Sequence, residues 1–511
     1  YFVCGIAAII GHHANRQPIE KMLERIHHRG LDEHDLLSEE QVILGHKRRL
    51  KDATQPITHP SRKLSIICDG EIYNDHELRD RHLWDVEFET NSDNEIPLHL
   101  YEKYGRQTAH FLEGMFAFII ADTSGEKPEI YAARDPLGIK PLYYGETDGG
   151  LYFASELKCL FGMVEEIHEF PAGHYYTPKT GFVRYRTVTA PEEQERISVD
   201  ADLSSVLENV RETLEKAVQK RLMANVSLGV LLSGGLDSSL IAGIAKKYRP
   251  GETLKSFSVG LEGSRDILAA RDVAKHLGTE HYEYLYDEEE LFEAVPEVIY
   301  YLESFEPSLV RSAIPNYFVA RLAAKHVKVI LSGEGADECF SGYTYLKDIH
   351  DPVLLNKELV RMLQSLHNIN LQRLDRMAMA HSLEGRVPFL DEALIQYALK
   401  IPIEWKMRKQ NGQHIEKWIL RKAYEGTGLI PDRIVWRTKE EFSEGSGAKD
   451  VFEERLEREI SDQELKREKK RILNEDQCEI RSKMELYFYR IFKQYFPHTS
   501  ASKTVGRWAT T

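Results

Sequence analysis

Short apolar runs separated by polar and glycine-containing turns fill the first part of the chain. Strand patterns fall at the opening apolar run Tyr-Phe-Val-Cys4-Gly-Ile-Ala-Ala-Ile-Ile, at Gln41 to His46, Lys63 to Cys68, Gly114 to Asp122 and Glu129 to Ala133. Helical spacing covers Ile19 to Ile26 and Ile96 to Tyr104. The mixture predicts layered α and β structure with antiparallel hairpins. A polar stretch from Thr187 to Ser198, with Pro191-Glu-Glu-Gln-Glu, then reads as a linker. Ala201 to Met223 sets Leu203, Val206, Leu207, Val210, Leu214, Ala217 and Val218 on one helical face.

From Ser227 onward the pattern changes to strict alternation of strand and helix. Strands are predicted at the run before Ser233, at Leu254 to Leu261, His281 to Tyr286 and Val327 to Leu331, with helices at Asp266 to Leu277, from Glu288, and about Ala313 to His326. That order predicts a parallel sheet with helices on both faces, and in such sheets ligands lie beyond the carboxyl ends of the strands. The expected organisation is α+β then α/β: a first domain at 1–190, a linker at 191–200 and a second domain at 201–511. Phe452 to Arg471 reads as a charged helix with a solvated face, and Pro497 to Thr511 as a loose tail.

Composition narrows the function. A chain of 511 residues is too long for one ordinary core, and a net charge of -15 argues against a nucleic-acid footprint, leaving a small-molecule substrate favoured. The five cysteines form no CxxC pair, and no apolar stretch approaches the ~18 residues that cross a membrane. The expected compartment is the cytoplasm, with reduced thiols and no membrane partner. The adjacent pairs His12-His13 and His27-His28 have no Cys or carboxylate at ligand spacing and read as non-ligands.

The chemistry begins at Leu228-Gly-Val-Leu-Leu-Ser-Gly-Gly-Leu-Asp-Ser-Ser-Leu240, an apolar strand ending in a Ser-Gly-Gly turn before a helix. Gly234 and Gly235 permit a sharp turn, Ser233, Ser238 and Ser239 supply hydroxyls, and the free amides of a helix start favour an anion. No Lys follows the glycines, so this is not a Walker loop. Asp237 in the first helical turn makes sense beside phosphates when Mg²⁺ lies between them. The motif resembles the signature of ATP pyrophosphatases. A second apolar strand ends in Ser332-Gly-Glu-Gly-Ala-Asp-Glu338, so two loops at strand ends of one sheet are expected to face each other. Asp237 and Asp337 would then share Mg²⁺, with Glu334 left as a proton acceptor or acid.

In the first half, Cys4-Gly-Ile, His28-Arg-Gly30, Gly70-Glu-Ile-Tyr-Asn74, Ser92-Asp93, Gly114-Met-Phe-Ala-Phe118, Arg134-Asp-Pro-Leu-Gly-Ile-Lys-Pro-Leu142 and Phe153-Ala-Ser-Glu156 resemble the glutaminase domain of N-terminal-nucleophile amidotransferases. The resemblance implies an αββα sandwich in which Cys4 attacks the glutamine amide with its own α-amine as base. It also implies that Arg48 and Asp93 hold the glutamine's carboxylate and ammonium and that Gly70 lends an oxyanion N–H. Two departures matter. Tyr1, Phe2 and Val3 precede Cys4, so the family's mechanism requires their removal. Asp69 stands where the family has Asn, and an ionised Asp only accepts hydrogen bonds. Two readings remain: a working glutaminase, or a retained domain whose glutamine chemistry is weak or lost.

Ser256-Phe-Ser-Val-Gly260, Glu384-Gly-Arg-Val-Pro-Phe-Leu-Asp391, Glu416-Lys-Trp-Ile-Leu-Arg421 and Trp436-Arg-Thr-Lys-Glu-Glu-Phe442, in order with the phrases above, are similar to the glutamine-dependent asparagine synthetase family. The resemblance implies that Ser233, Gly234, Gly235, Asp237 and Ser238 hold pyrophosphate, and that Leu232 and Val259 line the adenine pocket. Ser332 and Gly333 would also meet the nucleotide, with Glu334 and Lys439 catalytic. Arg311 and Arg386 are candidates for the substrate carboxylate by their bidentate geometry. The expected reaction converts aspartate to asparagine through an aspartyl-AMP, using ATP, Mg²⁺ and ammonia from glutamine or from solution. A homodimer is admitted as an assembly. The rivals are a β-lactam-synthetase-like cyclase acting on another acid, a non-catalytic nucleotide-binding protein and a tRNA-modifying enzyme.

Overall fold

The computed structural model describes residues 5–12, 14–31, 33–39, 41–48, 54–59, 63–222, 227–410, 412–438 and 448–508. Among the described residues, twelve strands build the first domain: β1 Gly5–Gly11, β2 Glu33–Glu39, β3 Val42–Arg48, β4 Ile57–Thr58, β5 Leu64–Ile72, β6 Gly114–Asp122, β7 Glu129–Arg134, β8 Tyr143–Thr147, β9 Gly150–Ala154, β10 His168–Glu169, β11 His174–Thr177 and β12 Gly181–Arg184. They form two six-stranded sheets, ordered β10-β8-β9-β1-β3-β2 and β12-β11-β7-β6-β5-β4. The pairings are antiparallel throughout.

Alternation along each strand decides what lies between the sheets. Ile6, Ala8 and Ile10 of β1 meet Ile67 of β5 and Ala117, Ile119 and Ala121 of β6 in one shared core. The opposite faces are covered by helices. Ala7 and Ile9 pack under Ile19, Met22 and Leu23 of the Arg16–Arg25 helix, and Ile66, Phe116 and Phe118 pack against Leu78, Ile96 and Leu98. The result is the four-layer αββα sandwich. Gly70 sits in β5 with φ +145, and a side chain there would strike the backbone of Met115 on β6.

The second part carries a five-stranded parallel sheet. Its strands are β13 Leu228–Leu231, β14 Lys255–Gly260, β15 Glu280–Leu285, β16 Val329–Leu331 and β17 Glu384–Arg386, in the order β15-β14-β13-β16-β17. The helices at Leu236–Tyr248, Arg265–Leu277 and Pro307–Ala323 are those that β–α alternation predicts. The Leu203–Leu222 helix buries Val206, Val210, Leu214, Ala217 and Val218, the apolar stripe read from its spacing.

Two expectations about the C-terminus change. The charged stretch forms two helices, Ala448–Glu459 and Asp462–Asp476, interrupted near Ser461, and Phe452, Leu456 and Ile472 are buried among the aromatic residues of the Lys483–Tyr495 helix. As far as Trp508 the tail is not loose: Ala501 and Val505 are buried, Arg507 pairs with Glu485, and the Trp508 ring meets Tyr343 edge-on at 5.2 Å. Ala501, in the short Thr499–Lys503 helix, and Val505 and Trp508 just beyond it give this segment a packing face that its polar composition conceals.

Candidate active site

At the carboxyl ends of β13, β14 and β16 the chain leaves a cavity of about 410 Å³. Leu232, Ser233, Gly235, Asp237 and Ser238 line one side, Phe257 and Val259 a second, and Ser332, Gly333, Glu334 and Asp337 a third. Gly234 is not part of the lining. With φ +72 it makes the turn itself, and a side chain there would strike the backbone of Ala269 and Ala270. Gly235 is open on that side, its nearest neighbour being the Ser233 hydroxyl. The loop is held by its own serines: Ser233 N–H donates to Ser238 Oγ at 3.2 Å and Gly235 N–H to Ser233 Oγ at 3.3 Å. A Cβ on Gly333 would lie 3.0 Å from Ser238 N, so the two loops expected to face each other do so in contact.

A cation that the sequence reading left without a role joins them. Lys417 Nζ lies 2.6 Å from Asp237 Oδ2 and 2.6 Å from Asp337 Oδ1. Burial alone would lower the lysine's pKa, but the two carboxylates override it and hold the ammonium above its ordinary range. Lys417 has φ +54, a left-handed conformation that costs about 1 kcal/mol or more for a residue with a side chain. Gly342 packs against this pair where no side chain would fit.

Glu334 receives a hydrogen bond from Arg373 Nη2 at 2.5 Å, and Arg373 Nη1 donates to Ser312 Oγ at 2.7 Å. Arg311, on the Pro307–Ala323 helix, is buried on the cavity wall; its Nη1 approaches Met484 Sδ at 3.8 Å and its Nε has no hydrogen-bond partner among the described residues. Glu306 caps this helix by accepting from Leu309 N–H at 2.7 Å. Trp508 closes part of the cavity, a role invisible in a tail of mostly polar residues. The described chain reaches the rim at Arg437 and Thr438; Lys439 lies outside the described residues.

Arg386 is elsewhere. Its guanidinium is fully buried between Glu71 of β5, at 2.8 Å, and Glu384, at 2.6 Å, and it donates to Arg221 O at 3.0 Å. A guanidinium with these partners ties the two domains together and has no free face for a substrate carboxylate.

In the front domain, Asp69, Gly70 and Asp93 converge at one end of β5, where Ile72 N–H donates to Asp93 Oδ2 at 2.6 Å. Asp69 is completely buried, with Arg29 Nη1 3.2 Å from one oxygen and Lys140 Nζ 3.2 Å from the other. Burial pushes its carboxyl up, and the opposing pull of Lys140 and Arg29 does not cancel it, so the group stays above its ordinary value. Arg29 also pairs with Glu156 and with Asp375 on the Asn370–Met379 helix, the helix that carries Arg373. Cys4 and the side chain of Arg48 lie outside the described residues.

A sandwich of two antiparallel sheets, joined to a parallel sheet whose strand ends hold a serine-glycine loop and an acidic loop, defines a two-domain ligase of the amidotransferase kind. The first domain matches the glutamine amidotransferase domain model over residues 3–189, and the second matches the asparagine synthase model over 209–353 and 347–485. The chain is 37% identical over 526 residues to glutamine-hydrolyzing asparagine synthetase 2 of Arabidopsis thaliana, covering 98% of this chain and 89% of that one. It is 38% identical over 547 residues to the probable glutamine-hydrolyzing asparagine synthetase of Schizosaccharomyces pombe, covering 99% and 96%. The chain belongs to the glutamine-hydrolysing asparagine synthetase family.

Proposed function

We propose that this chain makes asparagine by amidating the side-chain carboxylate of aspartate, at the expense of ATP cleaved to AMP and pyrophosphate. The observation that carries the site assignment is the contact of the two loops around Lys417, with Glu334 on the same cavity wall. In this reading Leu232 and Val259 border the adenine, and Ser233, Gly235 and Ser238 with the amides of the helix start bind phosphate oxygens. Asp237 and Asp337 are oxygen donors of the type Mg²⁺ accepts and would hold it, where it neutralises phosphate charge. Lys417 shares that work as a fixed positive charge between the same carboxylates, and Lys439 is assigned to the departing pyrophosphate.

Arg311, a buried guanidinium facing the cavity, receives the aspartate carboxylate. The side-chain carboxylate attacks the α-phosphorus and pyrophosphate leaves. Ammonia then attacks the acyl carbon, AMP departs, and Glu334 takes the surplus proton. Adenylation is needed because hydroxide is a poor leaving group. Ammonia comes from glutamine at Cys4, Arg48, Gly70 and Asp93, or from solution where Asp69 slows that hydrolysis. The test is to incubate the purified full chain with ATP and aspartate, and with glutamine or ammonium, and to measure asparagine, AMP and pyrophosphate. Equal amounts of the three products support the reading; pyrophosphate release that is independent of aspartate rejects it.

A further inference from the structure

The Ile96–Tyr104 helix carries a second constellation, away from the nucleotide cavity. His99 and Glu102, three residues apart, share one face of this helix, and His59, following β4, meets them there. One ligand atom from each of His59, His99 and Glu102 lies within 4.8 Å of the others. His59 Nε2 is 3.0 Å from Glu102 Oε2, close to the ~3.3 Å edge of a tetrahedron built on metal–ligand bonds of ~2.0 Å.

The third ligand is already oriented. His99 Nε2 lies 2.9 Å from Glu95 Oε1, and the Glu95 carboxylate also accepts from Glu89 N–H, Thr90 N–H and the Thr90 hydroxyl. With both of its oxygens already accepting from these backbone and hydroxyl donors, the Glu95 carboxylate is placed to accept from His99 as well. Nε2 therefore carries the proton, and Nδ1 carries the lone pair. That Nδ1 is buried, with no hydrogen-bond partner among the described residues, in a residue 2% exposed. A buried acceptor left without a donor costs on the order of 1–3 kcal/mol, and a cation in front of it removes that cost. The Phe88 ring, at 5.0 Å, and the His59 ring, at 5.2 Å, hold the imidazole edge-on.

We propose that His59, His99 and Glu102 bind one divalent transition metal of the zinc class, with Glu95 orienting His99 from behind. Two imidazoles and one carboxylate suit zinc; Mg²⁺ and Ca²⁺ prefer oxygen ligands alone. A carboxylate on the far nitrogen of a ligand histidine is the arrangement that fixes tautomer and raises basicity at such centres. Glu102 is partly exposed, which leaves room for water as a fourth ligand. Bound there, the ion clips the chain after β4 to the helix.

The test uses the full chain stripped by chelation and dialysed, titrated with Zn²⁺ alone and, separately, with Co²⁺. The expected result is one zinc per chain surviving gel filtration in the presence of millimolar Mg²⁺, and intense visible bands of four-coordinate cobalt. His59→Ala and Glu102→Gln, both at partly exposed positions, should each lose the bound zinc and the cobalt bands while keeping the circular dichroism of the parent. Zinc should raise the melting temperature of the parent and not of His59→Ala. No stoichiometric uptake by the parent, or equal uptake by parent and both variants, overturns the assignment.

Discussion

Asp237 and Asp337 belong to different loops and to different strand ends, yet they are bound to one ammonium, that of Lys417 at 2.6 Å from each. Two carboxylates this close repel one another, and the lysine converts the repulsion into a clasp across the nucleotide cavity. Lys417→Met should therefore lower aspartate-dependent pyrophosphate release by at least ~10²-fold, because it removes a preorganised charge at the phosphates and leaves two half-buried carboxylates facing each other. Added Mg²⁺ should recover part of the loss. Initial rates over a Mg²⁺ series check it, and wild-type rates in the variant would reject the clasp.

Asp69 touches two cations where an amide N–H is what a developing oxyanion needs. The Asp69→Asn chain should raise glutamine-dependent asparagine formation about 10-fold or more relative to the ammonium-dependent rate, which should stay constant. Measuring both rates on one preparation separates a front-domain effect from general damage. An unchanged ratio would show that this position does not limit glutamine use.

Burial and the neighbouring Asp337 carboxylate raise Glu338 to about 7, against the opposing pull of the Tyr343 hydroxyl, which donates to it at 2.6 Å. The folded chain thus holds a proton that the unfolded chain releases near the ordinary ~4.3. The stability this proton contributes is complete below the unfolded value and is lost as pH rises through about 7. Glu338→Gln should flatten the fall of unfolding free energy across that window by about 1.4 kcal/mol per pH unit. Urea unfolding at a series of pH values measures it; Glu71, also raised to about 8 by burial, is common to both proteins and cancels in the difference.

Arg386 should matter for stability and not for substrate affinity. Arg386→Met strands the Glu384 carboxylate in the interdomain contact, and removing one member of a buried ion pair costs about 3–5 kcal/mol. Thermal unfolding should show a clear drop, while the KM for aspartate of the folded fraction stays within about 2-fold. A large rise in KM without loss of stability would return Arg386 to the substrate site.

Local chemistry made the nucleotide cavity readable. A strand that runs into Ser-Gly-Gly, or into Gly-Glu-Gly, can do little else than turn at the sheet's edge, and parallel topology sends both turns to the same edge. Lys417, Arg373 and Trp508 gave no comparable signal: a lone cation or ring in a polar stretch looks like any solvated residue until its distant partners are in place. Arg386 misled for the same reason, its motif being equally consistent with a ligand and with an internal tie.

Periodicity and turn chemistry are properties of neighbouring residues, so β1, β3, β5 to β7, the alternating strands and helices of the parallel layer and the two glycine loops follow from the chain alone, whereas the αββα layering was legible only through the resemblance of its motifs. Ion pairs such as Lys417 with Asp237, Arg29 with Asp375 or His59 with Glu102 join residues far apart in the chain. Their partners are selected by packing and by the cost of leaving charge buried alone, and only the folded molecule makes that selection.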